Sequence, residues 1–360
     1  MASQAVGAHF TNDSSSNYRG SRQQLRLGNT VYDITHQALV MGILNRTPDS
    51  FFDHGAYFQL DAFLDRAEQL VMEGADILDV GGVKAGAGDE VSLQEELDRV
   101  VPAIEALKSR FDLPISVDTW RSEVLLEACR AGAVVGNDIS GFADPSYLAV
   151  AAASGASVVA THIRLAPRVP DPNPVYENVV KEVSTFLLER ARWAEAAGIS
   201  ADRIMVDAGL DLGKTTRHSL VLLRDSSVLA ALGYTLFLSV SNKDFLGEVL
   251  NLRVHERRDP TLSAVAWGVA RGARVVRVHD VLGAKRVCTV LSAILETQAI
   301  RPGLDGQISL SPTSNSSSSS RSSLNAPLED ESISKAKLKL ANSDGLDTSE
   351  VLAPRPREAR

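Results

Sequence analysis

Between residues 38 and 280 the chain repeats one hydrophobic pattern: a short apolar run ending in a polar residue, followed by a stretch with helical spacing. The runs are ALVMGILN (38–45), ADILDVGG (75–82), PISVDT (114–119), VVGNDIS (134–140), SVVATHI (157–163), RIMVDAG (203–209), TLFLSVS (235–241) and RVVRVHD (274–280). Stretches such as DAFLDRAEQLVMEG, SEVLLEACRAG, VVKEVSTFLLERARWAEAAG and HSLVLLRDSSVLAALG read as helices, and several close on Gly, as helix C-termini often do. Because the runs are apolar almost throughout, the pattern predicts parallel strands covered on both faces. Eight strand–helix units in about 260 residues predict an α/β fold, a closed (β/α)8 TIM barrel. A doubly wound open sheet is the alternative, and the count of eight favours the barrel.

Active sites of such barrels sit at the C-terminal ends of the strands. Those ends carry Asn45, Asp79, Asp118, Asn137, Asp138, His162, Asp207, Ser241, Asn242, Lys243, Arg277, His279 and Asp280. One polar residue at a strand end is unremarkable, but polar endings on all eight describe the mouth of a site.

Composition sets outer limits. Hydrophobic residues are 44% and charged residues 23% of the 360, as in soluble globular proteins. The net charge of −8 gives no reason to expect a nucleic-acid partner. No apolar run of roughly 18 residues occurs, so no membrane span is expected, and the N-terminus has no secretory pattern. Together with only two cysteines, Cys129 and Cys288, both in apolar helical stretches, these features suggest a cytoplasmic protein with buried thiols. Three zones follow: a polar, disordered segment 1–24, a barrel domain 25–300, and a disordered Ser-rich tail 301–360 that cannot bury enough apolar surface to offset its ordering entropy. Within the tail, SISKAKLKLAN (332–342) has an amphipathic pattern, read as part of a solvated tail.

Three motifs carry candidate chemistry. AGLDLGKT (208–215) nearly matches a phosphate-binding loop, G-x-x-x-x-G-K-[ST], between a strand and a helix. That reading implies a nucleotide-binding protein. It is weakened by Asp211, a carboxylate inside the cradle, and by the lack of a following strand ending in a magnesium-binding Asp. In RVHDV (277–281), Arg277 and His279 lie two apart on one strand and point the same way, which suits a diphosphate or, equally, an ion pair capping the barrel. Asp118, Asn137, Asp207 and Lys243 form a set of acceptors and donors able to read the edges of a heterocycle, with Asp–Lys pairing as the structural alternative. GGVKAGAG (81–88) lacks the spacing of a dinucleotide fingerprint.

MGILNRTPDSFFDHG (41–55) resembles the M-x-I-x-N-x-T-P-D-S-F-x-D-G-G opening of dihydropteroate synthases. ILDVGG, ISVDT, NDI, the strand ending in Asp207, S-x-K and RVHDV follow in that family's order, over about residues 36 to 299. The resemblance implies a pterin-binding barrel that joins 6-hydroxymethyl-7,8-dihydropterin diphosphate to para-aminobenzoate with Mg2+, as a homodimer. By position it implies that Asn45 ligates Mg2+, that Asp118, Asn137, Asp207 and Lys243 hold the pterin, and that Arg277 and His279 hold the diphosphate. Lys243, Arg277 and His279 would be catalytic, with Ser241 and Lys84 on the acceptor side.

The departures concentrate on that acceptor side. Where the family has Gly-Gly-Glu-Ser-Thr-Arg-Pro-Gly, this chain has Gly81, Gly82, Val83, Lys84, Ala85, Gly86, Ala87 and Gly88. Ser-Arg-Lys becomes Ser241, Asn242, Lys243, and the family's Phe-Gly-Phe becomes Leu210, Asp211, Leu212. A lost charge-assisted contact costs about 1.5–3 kcal/mol. The altered loop resembles that of a second, divergent dihydropteroate synthase-like paralogue of actinobacteria. Three readings stay open: a synthase of altered or reduced activity, a pterin-binding paralogue outside folate synthesis, and a nucleotide-binding protein.

Overall fold

The computed structural model describes residues 23–46, 56–86 and 88–299, with the side chains of 56–59 and 298–299 outside that description. The readings of both tails, apart from Gln23 and Gln24, and of TPDSFFDHG (47–55) lie outside the described residues. The tail unit Asp305–Arg360 lies wholly there.

The chain opens with a hairpin, β1 (Gln24–Leu27) and β2 (Thr30–Asp33), paired antiparallel around a Gly28-Asn29 turn, where Gly28 takes φ +57°. Composition alone did not find it: the boundary drawn after residue 24 falls inside β1. Eight parallel strands follow, β3 (Leu39–Asn45), β4 (Ile77–Gly81), β5 (Ile115–Asp118), β6 (Val135–Asp138), β7 (Ser157–Thr161), β8 (Ile204–Asp207), β9 (Thr235–Ser239) and β10 (Ala273–Val278). They close into a barrel in sequence order, β10 pairing with both β9 and β3. The barrel, not the open sheet, is the fold.

Alternation along each strand builds two cores. Leu39, Met41, Ile77, Val135, Val159, Met205, Phe237 and Val275 fill the barrel interior, where they meet Leu25, Leu27 and Ile34 of the hairpin segment. The hairpin thus plugs the N-terminal end. Each fully buried leucine contributes about 1.5–3 kcal/mol. The intervening residues, among them Val40, Leu78, Val117, Val158, Val206, Leu238 and Val276, face the helices. Burial on both faces is why the strands read as continuous apolar runs.

The helices are α1 (Ala56–Met72), α2 (Leu93–Arg110), α3 (Ser122–Ala131), α4 (Tyr147–Ala153), α5 (Val179–Ala196), α6 (Thr216–Arg224), α7 (Ser226–Ala230), α8 (Asp244–Leu250), α9 (Arg258–Ala270) and α10 (Val281–Ala299). The α2 start follows from its sequence: Ser92 accepts from the Glu95 N–H, and Glu95 and Glu96 occupy the positive end of the helix dipole. The stretch 218–233, read as one helix, is broken at Asp225 (φ −98°, ψ 23°). Ser226 Oγ donates to the Leu222 and Leu223 carbonyls there, and Ser and Asp compete with backbone bonds in this way. Cys288 is buried and Cys129 half-buried, both free thiols packed at the outer core. Among the described residues no helix is long and apolar enough to cross a membrane.

Candidate active site

The alternation that packs the barrel floor also builds its mouth. Continuing inward positions up each strand leads from Ile77 to Asp79 and Gly81, from Ser116 to Asp118, from Val135 to Asn137, from Met205 to Asp207 and from Val275 to Arg277. Register places neighbours side by side: Gly81 against Asp118, Asp118 against Asn137, and Thr161 against Asp207. Asn137 and Asp207 are almost wholly buried, and Asp79 entirely so.

Arg277 organises this ring. Its Nε donates to Asp79 Oδ2 at 2.6 Å and its Nη2 to Asp118 Oδ2 at 2.8 Å. Of the two readings of Arg277, the ion pair is present, and it ties β10 to β4 and β5 at the level of the site. Burial pushes the Asp118 carboxyl up to about 7; Arg277 pulls it down, and Asp79, Glu96 and Asp138 push it further up. Asp207 is also raised by burial, against the Gly209 N–H and the charges of Lys243, Lys214 and Arg277. Asp79 Oδ1 and Thr161 Oγ1 are buried with no hydrogen-bond partner among the described residues. A ring of carboxylates, an amide and unpartnered acceptors suits a flat ligand rich in N–H groups.

Beyond Arg277, the His279 Nδ1 lies 2.8 Å from Ser241 Oγ, which also accepts from the His279 N–H at 3.1 Å. That geometry lets the hydroxyl donate to Nδ1 and leaves the ring proton on Nε2, a donor at the rim. Desolvation, then the Arg277 and Arg66 charges, hold the imidazole below its usual range. Lys243 precedes α8, where its charge acts on Asp207 and Asp211. Asn45 ends β3 exposed, with its Oδ1 beside Gly81. Among the described residues no cluster of three His, Cys, Asp or Glu could hold a metal ion. One neutral amide oxygen fits Mg2+ only as a single protein ligand to an ion whose other ligands are substrate phosphates and water.

The loop after β4 is strapped by three guanidinium groups: Arg99 to the Gly82 carbonyl (2.7 Å), Arg121 to that of Val91 (2.7 Å), and Arg168 to that of Asp89. Gly82 is required by packing, since a Cβ there would lie 2.8 Å from Val100 Cγ1 on α2. Arg121 also bonds the fully buried Glu96 (2.7 Å), which accepts from Thr119 Oγ1 (2.6 Å). Lys84 is exposed on this loop.

The phosphate-loop reading of residues 208–215 fails on geometry. The Lys214 ammonium is buried and uses its three donors internally, to His162 Nδ1 (2.9 Å), the His162 carbonyl (3.3 Å) and the Leu212 carbonyl (2.9 Å). Burial lowers its pKa to about 7. Thr215 is the N-cap of α6. From sequence, Asp138 reads only as one of the polar strand ends and Asp211 only as a departure from the motif. Asp138 accepts from the Ser140 (2.6 Å) and Phe142 (2.8 Å) N–H groups and shapes the loop after β6. Its carboxyl is pushed up to about 6 by burial.

Residues 41–279 match the family model described as pterin binding enzyme. The chain is 44% identical over 266 residues to inactive dihydropteroate synthase 2 of Mycobacterium leprae, covering 72% of this chain and 91% of that protein. It is 39% identical over 255 residues to dihydropteroate synthase of Haemophilus influenzae, covering 71% and 93%. The structure of Xanthomonas albilineans dihydropteroate synthase with 4-aminobenzoic acid matches with a TM-score of 0.71 and 35% identity, covering 78% of this chain and all of that one.

Proposed function

This chain belongs to the pterin-binding enzyme family and is dihydropteroate synthase-like, and from that premise we propose that it binds 6-hydroxymethyl-7,8-dihydropterin diphosphate in the barrel mouth but transfers the pterin to para-aminobenzoate only weakly. The observation that carries the first half is the ring of Asp118, Asn137 and Asp207 around an Arg277 held by two carboxylates. Asp118 and Asp207 accept from the amino and ring N–H groups, Asn137 donates to the ring nitrogens, and Lys243 donates from the rim. Arg277 and the outward Nε2–H of His279 face the leaving diphosphate, where negative charge develops as the carbon–oxygen bond breaks. When bound, Mg2+ held by the Asn45 amide would neutralise part of that charge.

The second half rests on the acceptor side, where the loop after β4 supplies Lys84 alone as a cation and Asn242 stands between Ser241 and Lys243. The 44% identity to a relative named inactive supports it. A point cation on a flexible stem does not reproduce a planar guanidinium fork. We further take the chain as cytoplasmic and, by family analogy, as a homodimer. The exposed apolar side chains Trp267, Leu282, Val290 and Ile294 on α9 and α10 support an interface. Complementation of a strain lacking its own synthase, with turnover measured on the purified protein, tests the proposal. Binding of the pterin with poor rescue is expected, and full rescue overturns the weak-transfer half.

A further inference from the structure

The loop after β8 carries a carboxylate bonded to the next strand–helix corner. Asp211 lies in the left-handed region (φ +66°), which Asp tolerates better than most residues. Its N–H donates to Ser219 Oγ (3.1 Å), and that hydroxyl donates back to Asp211 Oδ1 (3.2 Å). Oδ2 accepts from the Asp244 N–H at 2.6 Å and the Phe245 N–H at 3.4 Å, the amides that follow Lys243. The Lys243 ammonium is the strongest opposing charge on this carboxylate.

These amides and this ammonium are the groups that a carboxylate arriving at the Ser241–Lys243 corner would need. Two other cations of the mouth are already engaged, Arg277 by Asp79 and Asp118, and Lys214 by its own loop and His162. Asp207 also draws on Lys243. A second anion placed here meets a like charge and finds its donors occupied. Resting on the pterin-binding reading above, we propose that Asp211 is a specificity-determining residue. Its carboxylate takes, from within the chain, the place of an acceptor's carboxylate, so the preferred acceptor is a neutral aromatic amine rather than an aminobenzoate anion.

The test is calorimetry on the full chain, first titrated with 6-hydroxymethylpterin and magnesium diphosphate, which permit no turnover, and then with 4-aminobenzoate or its neutral analogue 4-aminobenzamide. The wild type is expected to bind the amide at least tenfold more tightly. Asp211→Asn keeps an oxygen acceptor and tolerates the positive φ, and Asp211→Gly suits that φ without a side chain. Both are expected to gain at least tenfold for 4-aminobenzoate with little change for the amide, and thermal denaturation checks that each is folded. Equal wild-type affinities, or no gain for 4-aminobenzoate in either folded variant, overturn the inference alone. If 6-hydroxymethylpterin itself does not bind, the pterin reading fails and this inference with it.

Discussion

Arg277 Nε donates to Asp79 Oδ2 at 2.6 Å, joining residues 198 apart in sequence across the barrel mouth. Asp79 is fully buried, and its other oxygen has no partner among the described residues. Removing one member of a buried pair leaves an uncompensated charge, at a cost of about 3–5 kcal/mol. Arg277→Ala should therefore lower stability by about that much in urea denaturation. Arg277→Lys should retain more of the stability yet weaken diphosphate binding by about ten- to a hundredfold. Unchanged stability in Arg277→Ala would show that the pairing does not organise the mouth.

Asp118 gives a pH signature. Its folded carboxyl is pushed up to about 7 from an ordinary 3.8, so the folded state keeps a proton that the unfolded chain releases. That contribution to stability is present in full below the unfolded value and is lost as pH rises through about 7. Asp138 shifts in the same direction, so Asp118→Asn is needed to isolate one group. Denaturation of both proteins at pH 5 and pH 8 should show the wild type losing more stability than the variant. Parallel losses would contradict the assignment.

The barrel was legible because its signal is local. Ile77, Asp79 and Gly81, or Val275 and Arg277, show in a few residues both the period of two and the switch from apolar floor to polar mouth. The hairpin was not: Leu25 and Leu27 give only two alternations, and the barrel floor they meet is assembled from strands far along the chain. Asp211 was noticed as a departure, but its partners Asp244 and Phe245 lie 33 and 34 residues on, and no local pattern encodes that pairing. Lys214 was read from a motif. The buried bonds that remove it from phosphate chemistry depend on His162 at the end of another strand.

Gly82→Ala tests the packing of the strapped loop. A methyl group 2.8 Å from Val100 Cγ1 and 3.4 Å from Glu96 Cγ must push α2 outward. Overpacking of this kind costs about 1–3 kcal/mol. Thermal denaturation should register that loss, and a neutral effect would mean that the loop yields instead.

Ser241→Ala removes the hydroxyl that serves both the backbone and the ring of His279. A stability loss of about 0.5–1.5 kcal/mol is expected. Diphosphate affinity should fall several-fold because the imidazole loses its orientation. Unchanged affinity in a folded variant would place His279 outside the diphosphate site.

The central claim is that the carboxylate-lined mouth holds a pterin. Calorimetric titration of the full chain with 6-hydroxymethyl-7,8-dihydropterin diphosphate and Mg2+, beside Asp118→Ala and Lys243→Ala, tests it most directly. The account predicts saturable binding to one site in the wild type and its loss in both variants. Near-normal affinity in both variants, or no binding to the wild type, would contradict it.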